Sequence, residues 1–132
     1  MHFSRTNCML IESVEFIDYQ REGSGVVVAS GCGIGMAVMD AVTECRYFCD
    51  IDKYRRAQID WELIAVLLSL RIQPSVILLV GWFTIDEPRH FNAFERGCVT
   101  VKALRYDGGH CETLHDFLAR ARAAVSEPNK SC

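Results

Sequence analysis

The sequence predicts a single α/β or α+β domain, built on a mixed sheet of four or more strands with a long central core helix at 53–72 and a C-terminal amphipathic helix. Three observations lead there. Apolar or β-branched runs of strand length recur along the chain, and segments with helical periodicity stand between them. The chain has 132 residues, 50% of them hydrophobic, which is enough for one core and too little for two. At this size folding buries roughly two thirds of the unfolded chain's surface, so neither disulfides nor a metal are needed to hold the core together. The domain is expected to span 1–125, with 126–132 as a frayed tail.

Leu10 to Tyr19 alternates, Val14 and Phe16 against Glu15 and Asp18, as a half-buried strand does. The polar turn from Gln20 to Gly25 leads into Val26–Ala29, and so short a connection favours an antiparallel hairpin between the two strands. After Ser30-Gly31-Cys32-Gly33-Ile34-Gly35, the stretch from Met36 to Val42 suits a short helix. Arg46–Cys49 fits either a continuation of that helix or a strand, and as a strand it would make the architecture a short doubly wound sheet. Asp52 is suited to N-cap a helix from Lys53 to about Ile72, which Pro74 closes. From Trp61 to Leu70 this helix is apolar almost all round, which predicts central burial.

Ser75 to Phe83 is an unbroken apolar run, the pattern of a strand covered on both faces. Ile85–Gly97 reads as a polar connection with at most one helical turn, started by Pro88. Cys98–Tyr106 is the last strand, ended by Asp107-Gly108-Gly109. From about Cys111 to Val125 the residues Leu114, Phe117, Leu118, Ala121 and Ala124 recur at helical spacing.

Fourteen basic residues against seventeen acidic ones give a net charge of −3, and the basic residues are scattered. Binding a phosphate backbone requires a concentrated positive face, so no nucleic-acid partner is expected. Seven cysteines at irregular spacing, with no apolar leader behind the polar segment Met1–Cys8, predict reduced thiols and a cytoplasmic location. Leu63 to Phe83 is apolar for most of its length, but Arg71, Gln73 and Pro74 interrupt it at mid-depth, which excludes a membrane span. Cys111 and His115, four apart on the expected last helix, lack a second pair to complete four ligands and read as a solvated face. No metal, cofactor or catalytic set is therefore assigned.

Two segments could carry function. In the first, Gly31, Cys32, Gly33 and Gly35 lie between a strand and a helix, with Asp50 and Asp52 closing the next segment. Glycines there allow a tight turn and close approach of a ligand to backbone amides, and a later carboxylate can bind ribose hydroxyls. Val26 to Asp52 resembles the glycine-rich motif and second-strand acid of Rossmann-like methyltransferases, a resemblance that implies S-adenosylmethionine binding by Gly31, Gly33, Gly35 and Asp50 or Asp52. Cys32-Gly33-Ile34-Gly35 is also similar to the phosphocysteine loop of sugar phosphotransferase B domains, which implies phosphate chemistry instead. A strand–turn–helix without a ligand accounts for the same residues.

In the second segment, Asp86, Glu87, Arg89, His90 and Glu95 flank Phe91 and Phe94. Aromatics read as exposed among mixed charges are how partner-binding patches are built. The favoured expectation is thus a small protein-binding module, immunity-like or counter-defence-like, that occupies a protein partner and leaves a homo-oligomer open. The alternative is a nucleotide-, S-adenosylmethionine- or phosphate-binding transferase-like domain that uses the Gly31–Gly35 turn.

Overall fold

The computed structural model describes residues 7–81, 88–98 and 100–126, except the side chains of Cys32 and Lys53. Its centre is a mixed sheet of six strands, β1 (Cys8–Ile11), β2 (Val14–Asp18), β3 (Gly25–Ala29), β4 (Cys45–Asp50), β5 (Ile77–Val80) and β6 (Ala103–Tyr106), in the order β1-β2-β4-β3-β5-β6. β4, β3, β5 and β6 are parallel, and β1 and β2 form an antiparallel hairpin added at the β4 edge. Among the described residues the helices are α1 (Cys32–Ala41), α2 (Lys53–Arg56), α3 (Trp61–Arg71), α4 (Pro88–Gly97) and α5 (Leu114–Ser126).

Helices cover both faces, which is why β3 and β5 are apolar without alternation. Val26, Val28, Ile77 and Leu79 pack under Ile64, Ala65 and Leu68 of α3 and Phe94 of α4. Val27, Ala29, Leu78 and Val80 pack under Val38 and Met39 of α1 and Phe117 and Ala121 of α5. Arg46–Cys49 is thus resolved as strand, and the sheet is doubly wound. From β3 the chain passes through α1 to one neighbour, then through α2 and α3 to the other.

The N-terminal half departs from the sequence expectation. Leu10–Tyr19 is not one strand: Ile11 pairs with Val14 across a two-residue turn, Glu12 and Ser13, both at positive φ. Its hairpin forms within residues 8–18, so β2 does not pair with β3. β4 lies between them, antiparallel to β2 and parallel to β3. The bidentate pair of Arg46 on Asp18, 2.7 and 3.0 Å, fastens the hairpin to β4. That hydrogen bond is the main cause holding the Asp18 carboxyl below its usual range.

The single helix expected over 53–72 is two. Asp52 caps α2 by accepting from the amides of Tyr54 and Arg55, and Asp60 caps α3 by accepting from that of Leu63. Trp61 Nε1–H donates to Arg56 O at 3.0 Å, folding the start of α3 back on the end of α2. A second cap eight residues after the first restarts the helix in a new direction. The last helix likewise begins at Leu114, where Thr113 Oγ1 accepts from the Asp116 amide. Cys111 stays in a turn organised by Asp107, which accepts from the amides of Gly109, His110 and Cys111, so Cys111 and His115 do not share a helix.

β4 holds a bulge. Gly25 pairs with Cys45 but Val26 with Tyr47, leaving Arg46 as the extra residue. Cys45 therefore packs on the α1 face, and Cys49, four residues on, packs on the α3 face. Burial pushes both thiols up to about 12, so at neutral pH they are protonated, apolar filler. No cysteines among the described residues are disulfide-bonded. Among the described residues no helix is long and apolar enough to cross a membrane.

Candidate functional site

In a doubly wound sheet the crevice for ligands opens at the carboxyl ends of the strands, where the order of connection reverses. Here that point lies between β3, whose chain leaves toward α1, and β5, whose chain leaves toward α4. The glycine turn is at this position. The three glycines have three different physical duties.

Gly31 N-caps α1 at φ 128°, a backbone conformation closed to most side chains, and no side chain caps the helix there. Gly33 has nothing within 4 Å of where a Cβ would stand, so its backbone faces open space. Gly35 is the reverse: a Cβ there would lie 2.7 Å from Ala29 Cβ and closer still to the Phe48 ring, so its smallness lets α1 lie against the sheet. A tight turn, an open approach to backbone and a close helix–strand contact are the three uses of glycine in dinucleotide-binding turns.

Asp50 ends β4 beside this turn, exposed, and its Oδ1 accepts from Gly31 N–H at 3.1 Å. Asp52 is exposed too, but its carboxylate is committed to capping α2. Of the two acids, only Asp50 reaches the glycine turn.

Three further residues stand at this end of the sheet and were not assigned a role from the sequence. Ser30 N–H donates to Val80 O at 3.0 Å, joining β3 to β5 at the carboxyl end. Gly81 follows at φ 133°, with its would-be Cβ 2.6 Å from Ser30 O, so a larger residue would push the strand ends apart. Arg56, at the end of α2, donates from Nη1 to Ser30 Oγ and brings a guanidinium to the turn. A glycine inside an apolar strand run was a signal of close backbone approach. Arg56 offered no comparable signal, because its proximity depends on the break between α2 and α3.

The second candidate segment is rearranged. Asp86 and Glu87 lie outside the described residues. The rest is not a polar connection: residues 88–97 form the full helix α4, amphipathic, with its apolar side against α3. Phe94 is fully buried and meets Trp61 edge-on at 6.3 Å. Phe91 is 7% exposed, under the guanidinium of Arg105 at 5.0 Å, and His90 stacks on Trp61 at 5.5 Å. The expected exposure of Phe91 and Phe94 is thus overturned: with His90 they are core. Arg89 and Glu95 remain exposed.

Among the described residues no three His, Cys, Asp or Glu side chains gather closely enough to hold a metal ion. Compared with known proteins, the chain matches no family model and no curated protein.

Proposed function

We propose that this chain is a small ligand-binding domain of transferase-like type that holds a nucleoside-bearing molecule of the S-adenosylmethionine kind at the crevice between β3 and β5. The observation that carries this reading is the division of labour among Gly31, Gly33 and Gly35 at the reversal point of the sheet. Asp50 narrows the ligand class. Its carboxylate already occupies the Gly31 amide, taking that donor from a phosphate, and an exposed carboxylate suits a ribose diol. A protein-partner role retains exposed Arg89 and Glu95 on α4 but loses its aromatic anchors to the core, so it has less support.

Thermal unfolding with and without ligand tests the proposal. S-adenosylmethionine should raise the melting temperature, since a ligand at a hundred times its Kd adds about 2.7 kcal/mol to the native state. Gly33→Val should abolish the shift while the ligand-free protein melts as before, because nothing crowds that position. No shift with S-adenosylmethionine or its demethylated product would overturn the reading. A shift with inorganic phosphate alone would move it to phosphate chemistry.

A further inference from the structure

The two outer strands of the sheet are finished in the same way. Among the described residues, β1 and β6 are the strands with a neighbour on one side only. In β1 the pair Ile11↔Val14 closes a two-residue turn, so Ile11 and Met9 bond to β2 while Leu10 directs its N–H and C=O outward. In β6 the carbonyls of Lys102 and Tyr106 accept from the amides of Ile77 and Gly81, which directs the backbone groups of Arg105 outward. Each outward carbonyl accepts from an arginine of a helix: Arg71 Nη1 of α3 donates to Leu10 O at 3.2 Å, and Arg120 Nη2 of α5 donates to Arg105 O at 3.0 Å.

The two edges differ in what else protects them. Arg120 is fixed by a bidentate pair with Glu112, at 2.8 and 3.0 Å, and lies over the Phe117 ring. The strand it covers also carries the charge of Arg105. β1 has the uncharged sequence Cys8-Met9-Leu10-Ile11, and its Leu10 is 63% exposed. An outer strand with outward backbone groups and apolar side chains is a template for another strand.

We propose that Arg71 and Arg120 close the two edges of the sheet against strand addition, and that β1 is the edge that opens to a second copy of the chain once its arginine is lost. Antiparallel pairing of two β1 strands about Met9 would bond Leu10 of each copy to Cys8 of the other and lay the exposed Leu10 against the partner strand. With Arg71 in place this pairing is opposed twice. Its guanidinium stands on the outward side of the carbonyl, where the incoming strand would lie, and two-fold symmetry would bring two like charges to the new seam.

Sedimentation velocity of the full chain and its variants tests this. Arg71→Ala should self-associate at least about tenfold more tightly than the unmodified protein, the equivalent of one charge-assisted hydrogen bond. Its melting temperature should not change, because Arg71 is exposed. Arg71→Lys should behave as the unmodified protein, since an ammonium group can still donate to Leu10 O. Adding Leu10→Pro to Arg71→Ala should reverse the association, because proline removes the outward N–H and no bond to β2. Arg120→Ala should associate less than Arg71→Ala, as Arg105 still charges β6. Equal association of the unmodified protein and Arg71→Ala, association that survives Leu10→Pro, or tighter association of Arg120→Ala than of Arg71→Ala would each overturn the proposal.

Discussion

Helices α3 and α4 pack against each other on one face of the sheet, yet they spend their apolar residues in opposite ways. α3 is apolar on nearly every side and leaves Leu70 69% exposed, with Leu63 in solvent as well. α4 is mostly polar and sends Phe91, Phe94 and His90 inward. Burial therefore follows the angle at which a side chain leaves the helix, and total hydrophobicity is a poor guide to it. A helix on one side of a sheet turns only part of its circumference toward the core, and any leucine beyond that arc meets water. The contact between the two helices is close because of Gly97, where a Cβ would collide with the Glu62 carbonyl oxygen and crowd Ala65.

This contrast can be broken or sharpened by mutation. The largest effect is expected at Phe94→Ala, which removes a fully buried ring and should cost about 3–5 kcal/mol in urea unfolding. A loss below about 0.5 kcal/mol, the range of an ordinary surface change, would put α4 back at the periphery. Gly97→Ala should cost about 1–3 kcal/mol through overpacking, and the added methyl group would have to push α4 away from α3. An unchanged midpoint there would show that the two helices separate freely. Smallest is Leu70→Gln, expected to stay within about 0.5 kcal/mol although its helix neighbour Leu68 is fully buried. A marked loss at Leu70 would mean that its side of α3 is covered in solution.

The same contrast marks what could be read in advance. The strands β3 and β5 were legible because β-branched and apolar runs of that length have few other uses. The spacing of Phe91, Phe94 and Gly97 was already helical, but charges at Arg89, Glu95 and Arg96 masked it as a loop. The break between α2 and α3 was marked by Asp60, a second capping residue overshadowed by the apolar run that follows. At the glycine turn, glycines at positions 31, 33 and 35 and the acids at positions 50 and 52 stood out because their chemistry is local, but only the fold separates Asp50, which reaches the turn, from Asp52, which caps α2. Ser30, Gly81 and Arg56 join only through non-local pairing, β3 beside β5 and α2 folded back by Trp61. Nothing in the sequence around β4 distinguished its neighbours, so the interposition of that strand between β2 and β3 could not be anticipated.

The single surplus residue in β4 sets a reading frame for everything downstream of it. Side chains on a strand alternate between faces, so one inserted residue exchanges the two sets from that point on. Counted from Cys45 without the surplus, Phe48 would face α3 and Cys49 would face α1, the opposite of where each packs. The acid at the strand's end would arrive out of phase as well, on the side away from the turn whose Gly31 amide it accepts. Arg46, the residue that shifts the frame, also grips Asp18 across the strand pair. One position thus fixes both how the hairpin is moored and which way the acid at the crevice points.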